Sequence, residues 1–294
     1  MNNKLFIGDN LEIMRKLPDE SVDLCCTDPP FRSGRSYKSK NGVEFNDRWK
    51  SIDEFCGFMR LRLVEMHRIL KPTGSIYVHL DQTSSHYIKI EMDRIFGQEN
   101  FHNEIIWCYS KWSKDTKRFK RSHDNILYYS KTHDHTFNPI YRELSESSKQ
   151  TREKGYHIHY KANILLVYDA TKPKAKELIE SGKFNKVNYD KGVDGVLLPD
   201  YWTDIPVPGS NSKKRNGYPT QKPLELYQRI IEASSNEGDL VLDPFCGSGT
   251  TLDASQSLNR QWIGIDRNPN TIDYIKKRFD EYGLLNPNYE VIHE

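Results

Sequence analysis

The chain has 294 residues, 36% of them hydrophobic and 29% charged, and a formal net charge of only +2 at pH 7. That size admits one large α/β core or a core with a substantial insertion, and the near-neutral balance confines any nucleic-acid surface to local basic patches. There is no apolar run of the roughly 18 residues a membrane helix needs, the N-terminus lacks the layout of a signal peptide, and five scattered cysteines form neither a metal pair nor a disulfide framework, so a reduced cytoplasmic protein is expected.

In chain order, KLFIG reads as a short strand, LEIMRKL as a helix and VDLCCT as a buried strand that stops at a double proline. A long helical period over Ser51–Leu70 ends at Lys71-Pro72-Thr73-Gly74. SIYVHL (75–80) is the next strand, His86–Phe96 the next helix, and EIIWCYS (104–110) and NILYYSK (125–131) are strands bracketing a basic loop. From about 132 to 200 no period is sustained, although ILLVY is strand-like. Regularity returns with a helix (LELYQRIIEASS), a strand (LVLDPF), a glycine loop, a helix, a strand (QWIGID) and a last helix from Pro269 to Tyr282. No internal repeat is present.

LVLDPFCGSGTT runs a hydrophobic strand through Asp243 and Phe245 into a turn with Gly247 and Gly249, then into a helix start at Thr250 and Thr251. Two glycines let the backbone approach a ligand, and the helix start offers free N–H groups. The next strand ends at Asp266, where nucleotide-binding α/β folds hold ribose hydroxyls. The absence of GKS or GKT argues against a phosphate-cradling loop. Too little chain follows Thr251 to complete a doubly wound sheet, so the missing strands must come from upstream, in a permuted order, which disfavours an NAD dehydrogenase.

Asp28-Pro29-Pro30-Phe31 sets a carboxylate directly after a buried strand. The prolines fix φ and remove two donors, leaving carbonyl acceptors beside an aromatic ring. Such a set suits an aromatic amine: Asp28 and the Pro29 carbonyl each accept an amino hydrogen while Phe31 stacks on the ring. The same tetrapeptide is also good chemistry for a plain strand-to-loop turn.

Taken together, these motifs resemble the β-class DNA amino-methyltransferases of restriction–modification type, which modify adenine N6 or cytosine N4. The resemblance runs through GDNLEIMRKLPDESVDLCCTDPPF, LKPTGSIYVHLD, NEIIW…HDNILYYSK, YWTDIP, GYPTQKPLEL, DPFCGSGTT and IGIDRNP. It implies an α/β, Rossmann-like methyltransferase core, a mainly parallel sheet with one antiparallel strand and helices on both faces, in circularly permuted motif order. It implies a catalytic part of the core over 1–131, a small target-recognition lobe inserted at 132–205, and a cofactor-binding part over 206–294. It further implies S-adenosylmethionine as cofactor and DNA as partner, with Asp28 to Phe31 receiving a flipped base. Asp9, Asp28, Asp243, Phe245, Gly247, Gly249, Thr250, Thr251 and Asp266 would line the cofactor. In Pro219-Thr220-Gln221-Lys222-Pro223, Gln221 and Lys222 would meet its methionine end, Lys222 as counter-charge to the carboxylate. The family more often has Tyr where this chain has Phe31; stacking needs only the ring. Asp at position 28 leans toward adenine N6. Members are often homodimers, and the helix over 51–70 is a candidate contact surface.

Three basic segments are candidates for the DNA backbone. They are Arg32, Arg35 and Lys38 after the catalytic turn; Lys111, Lys114, Lys117, Arg118, Lys120 and Arg121 with Trp112 and Phe119 interleaved; and Lys213, Lys214 and Arg215. Lysine runs are also commonly solvated loops, and the two aromatic residues fit a core or an interface equally. His157 and His159 share a strand face but lack a carboxylate or cysteine at ligand spacing, so no metal is expected. An RNA or small-molecule methyltransferase, and a DNA-binding subunit without activity, are the competing readings.

Overall fold

The computed structural model describes residues 3–38, 44–110, 116–143, 156–161, 164–169, 173, 196–208, 217–218, 220–281 and 289–294. Two compact units make up the chain, Met1–Asn138 with Pro199–Glu294, and Pro139–Leu198.

The first unit opens with β1 (Asn3–Ile7), α1 (Asn10–Lys16), β2 (Val22–Thr27), a small antiparallel pair β3 (Ser36–Lys38) and β4 (Glu44–Asn46), and α2 (Ile52–Ile69). It continues with β5 (Leu70–Leu80), α3 (Ser85–Phe96), β6 (Phe101–Cys108) and β7 (His123–Ser130). In the second unit, β8 (Tyr141–Arg142) pairs antiparallel with β11 (Val196–Leu197), and β9 (Tyr156–Lys161) with β10 (Ile164–Asp169). The first unit resumes with β12 (Tyr201–Trp202), α4 (Leu224–Ser234), β13 (Leu240–Asp243), α5 (Thr250–Ser257), β14 (Gln261–Asp266), α6 (Thr271–Glu281) and β15 (Tyr289–His293).

Nine strands form one sheet in the order β12-β6-β7-β5-β2-β13-β14-β1-β15. Only β7 runs against its neighbours; every other described pairing in this sheet is parallel. Parallel strands need cover on both faces, and β1 shows how it is supplied. Alternate strand residues face opposite sides. Phe6 joins a cluster with Ile13 and Met14 of α1 and Phe55, Met59 and Leu63 of α2. Leu5 and Ile7 join another with Leu252 of α5 and Ile275 and Phe279 of α6.

The α2 helix starts where the sequence predicts, because the Ser51 side chain accepts a hydrogen bond from Glu54 N at 3.1 Å. It ends in a strand that begins earlier than the expected residue 75. Leu70 pairs with Val22, and the register then shifts so that Leu24 meets Ser75. Lys71–Gly74 bulge from the ladder, where a proline without an N–H is tolerated. The edge strand β15 and the short β12 have no clear sequence signal: polar residues interrupt both. Among the described residues, no helix is long and apolar enough to cross a membrane.

Candidate active site

Four adjacent parallel strands, β2, β13, β14 and β1, bring their carboxyl ends to one edge of the sheet. Asp28, Pro244, Asp266 and Gly8 sit at or just beyond those ends and line one cavity of about 820 Å³. From β13 the chain crosses through α5 to β14 on one side, while β2 lies on the other. Such a divergence of loops opens a crevice for ligands at the carboxyl edge.

The glycine loop is held from several directions. Asp243 Oδ1 accepts from Phe245 N at 3.0 Å, and Cys246 N donates to Ile265 O at 3.0 Å. Gly247 has φ +46°, and a Cβ there would lie 3.2 Å from the Tyr218 hydroxyl. Asp266 accepts from Gly247 N and from Asn268 N, each at 2.8 Å, one on each carboxylate oxygen. Each oxygen keeps a further lone pair for a ligand hydroxyl. Beneath the loop, buried Arg278 donates to Ser248 O at 3.0 Å and pairs with buried Asp253 at 3.1 Å. From the opposite side, Asn10 Nδ2 donates to Pro244 O at 2.7 Å. Arg62 of α2 donates to Asn10 Oδ1 at 2.6 Å, to the Asp9 carboxylate at 3.3 Å, and stacks over Phe58 at 3.5 Å.

At the end of β2, Lys222 Nζ contacts Asp28 Oδ2 at 2.5 Å and stands 4.7 Å from the Phe31 ring centroid. Asp28 Oδ1 is buried and accepts no hydrogen bond from any described residue. A buried carboxylate oxygen without a donor is an unfilled acceptor site. Behind Phe31 lies the His79 ring, 5.7 Å away, whose Nε2 is 3.2 Å from Asp124 Oδ2; Tyr109 donates to the other oxygen of Asp124 at 2.8 Å. Burial alone would raise the Asp124 carboxyl, but the hydrogen bonds from His79 and Tyr109 and the charges of His79 and Lys222 outweigh it and hold the acid low.

The lining is acidic: Asp9, Asp28, Asp47, Asp243 and Asp266 outnumber Arg62, Lys222 and Arg267. Burial pushes the Asp243 carboxyl up to about 7 against the hydrogen bonds from Thr251 and Phe245 N, with the charges of Asp28 and Asp266 adding to the rise. Burial also raises Asp266, partly offset by the Asn268 and Gly247 N–H groups. A cluster of confined carboxylates favours a cationic guest.

Of the residues singled out in the sequence, Asp9, Asp28, Pro29, Pro30, Phe31, Lys222, Asp243, Phe245, Gly247, Thr250, Thr251 and Asp266 line this cavity. Gln221 is buried and Gly249 packs elsewhere; neither lines it. Gly249 has φ +75°, and a Cβ there would come within 2.5 Å of Ile275, so packing requires the glycine. Lys222, expected against a ligand carboxylate, is engaged by Asp28. Of the basic candidates, Arg35, Lys117, Arg118, Lys120 and Arg121 are exposed, and Arg32 is half-buried. Phe119 is 99% exposed, which removes it from the core. Lys111, Trp112, Lys114, Lys213, Lys214 and Arg215 lie outside the described residues, as does the side chain of Lys38. Sequence reading missed Asn10, Arg62, Tyr218, Arg278 and the His79–Asp124 pair. Only the GDN triplet offered a signal, for Asn10 beside Asp9.

Residues 22–277 match a family model described as DNA methylase. The chain is 30% identical to the type II methyltransferase M.EcaI of Enterobacter cloacae, covering 94% of this chain and 69% of that protein. It is 29% identical to the DNA adenine methyltransferase YhdJ of Escherichia coli strain K12, covering 93% and 81%. Its fold matches the solved structure of a DNA modification methylase from Thermus thermophilus, complexed with S-adenosyl-L-methionine, with a TM-score of 0.58 at 22% identity over 99% of this chain and 98% of that one.

Proposed function

This chain belongs to the N6/N4 DNA methylase family and is a DNA amino-methyltransferase, and from that premise we propose that it methylates N6 of adenine in DNA with S-adenosylmethionine as donor. The observation that carries the reading is the buried, unfilled Asp28 Oδ1 in the same cavity as Gly247 and Asp266.

S-adenosylmethionine supplies an electrophilic methyl group on a positively charged sulfur. The residues present fit such a molecule: an acidic lining for its charge, Asp266 with a spare lone pair on each oxygen for ribose hydroxyls, and Asp9 and Asn10 held by Arg62 at the far side. Thr250, Thr251 and Phe245 complete the lining on the glycine-loop side.

The chain's own groups act on the amine. Asp28 Oδ1 accepts one amino hydrogen, the Pro29 carbonyl accepts the other, and Phe31 stacks on the base. Two acceptors out of the ring plane localise the nitrogen lone pair and aim it, so positioning and electrostatics supply most of the rate. Lys222 keeps Asp28 ionised and its orientation fixed through Oδ2. In a duplex the target amine is paired, so the base must leave the stack. Arg35 and the segment Lys117–Arg121 are proposed to hold the phosphate backbone, and the residues inserted between the two parts of the core to read the target sequence.

Adenine is favoured over cytosine by the aspartate at position 28 and by the relative named as a DNA adenine methyltransferase. Mixed-sequence DNA is incubated with labelled S-adenosylmethionine, digested to nucleosides and separated. Label on N6-methyladenine is the expected result; label on N4-methylcytosine would replace the base assignment, and none on DNA would overturn the function. Asp28→Ala is expected to abolish transfer while leaving cofactor affinity within a few-fold.

A further inference from the structure

The segment Asp47-Arg48-Trp49 follows the β3–β4 pair and has no part in the chemistry derived so far. Asp47 is buried, 2% exposed, yet its carboxylate is fully engaged by backbone. Oδ1 accepts from Arg32 N at 2.9 Å, and Oδ2 accepts from Ser33 N at 2.7 Å. Trp49 Nε1 adds a third, longer contact to Oδ1 at 3.3 Å. Its main chain closes the base of the same hairpin: Gly34 N donates to Asp47 O at 3.0 Å, and Asp47 N donates to Arg35 O at 2.8 Å.

The two N–H groups that grip the carboxylate are consecutive and come directly after Phe31. Arg32 holds φ +60°, a left-handed conformation that a bulky residue adopts only at a cost. Successive N–H groups around such a residue form a concave anion-binding nest, and here the anion is the protein's own Asp47. On the other side of Phe31, the Thr83 hydroxyl stands 2.9 Å from the Phe31 carbonyl oxygen and 2.5 Å from Asp81 Oδ1, so its one proton serves both. Asp47 also lines the cavity with Asp28 and Phe31.

We propose that Asp47 is a positioning residue that locks the backbone after Phe31, fixing the aromatic ring for the incoming base and tying the basic hairpin carrying Arg35 to the catalytic turn. This rests on the proposed base-methylating function. A charge-assisted pair of hydrogen bonds is stronger than a neutral pair and sets a direction. In Asp47→Asn the amide NH₂ faces one of the two N–H groups, so one bond is lost and the left-handed turn is released. Misplacement of a positioning element by about 1 Å can lower a rate on the order of 100-fold.

The test compares wild type, Asp47→Asn and Thr83→Val in three measurements on full-length protein. These are S-adenosylmethionine affinity by calorimetry, the single-turnover methylation rate on duplex DNA, and the fluorescence of 2-aminopurine at the target adenine. The expected result for Asp47→Asn is a rate about 10- to 100-fold lower and a reduced base-extrusion signal, with cofactor affinity within twofold of wild type. Thr83→Val, which leaves Asp47 intact, is expected to shift the same two readouts in the same direction by a smaller factor, and it decides the matter if Asp47→Asn does not fold. Rates within twofold of wild type in the folded variants, or rate and cofactor affinity falling in parallel as in a general folding defect, would overturn the proposal alone. A wild type that transfers no methyl group to DNA would overturn the function it rests on and this inference with it.

Discussion

Asp243 at the end of β13 is a carboxylate the fold keeps in the wrong solvent. Its pKa is pushed up to about 7 from an ordinary 3.8, burial being the largest cause. Between those values the native protein holds a proton that the unfolded chain has lost, so stability contributed by this site falls as pH rises from about 4 to 7. At about 1.4 kcal/mol per pKa unit, the full effect is at most about 4 kcal/mol. Asp243→Asn keeps the side-chain shape and an acceptor for the Phe245 N–H, and it removes the titration. The difference in unfolding free energy, variant minus wild type, is therefore expected to climb through pH 4–7 and level off above it. A few kcal/mol corresponds to a relative gain in Tm of about 5–10 °C at pH 8 for a protein of this size. Urea unfolding followed by circular dichroism at half-unit pH steps, without ligand, measures it. Taking the difference cancels every other titrating group, so a flat difference curve from pH 4 to 8 would refute the claim that this acid is strained by burial.

Gly249→Ala combines a left-handed φ of +75° with a Cβ 2.5 Å from Ile275; denaturation should register a loss of about 2–4 kcal/mol. Phe31→Tyr keeps the ring and is expected to stay within a few-fold of wild-type single-turnover rate, whereas Phe31→Ala loses a stacking contact of about 1–3 kcal/mol and should fall at least 10-fold. His102 is depressed from 6.5 to about 4, first by burial and then by the charges of His135 and His133. Native protein keeps it neutral where the unfolded chain is protonated, so this stability is intact above pH 6.5 and lost as pH falls toward 4. His102→Gln should therefore flatten part of the acid limb of a Tm–pH profile.

Much of the site was legible because its chemistry is written in short, contiguous runs. Asp28 to Phe31 and Asp243 to Thr251 each join a buried strand to a turn whose residue types restrict the backbone. The late glycine loop also implied that upstream strands complete its sheet, and β2 indeed lies beside β13. The groups that hold these turns in place were not legible. Arg62 reaches Asn10 across 52 residues, Asn10 reaches Pro244 across 234, and Lys222 reaches Asp28 across 194. A hydrogen bond between residues so far apart leaves no periodic trace in either segment. Arg62 in the sequence is one more basic residue on an amphipathic helix, and its buried location follows only from how α2 packs.

The sequence by itself determined which residues carry the chemistry and that distant segments must share one sheet, since strand periodicity and turn chemistry are local properties. Only the tertiary structure decided what each of those residues faces. It gave Lys222 to Asp28 rather than leaving it for a ligand, assigned Gly249 to packing against Ile275, and closed the Arg32–Ser33 nest on Asp47. Partner choice among polar groups is settled by burial and by the geometry of strand ends, and neither exists until the sheet has formed.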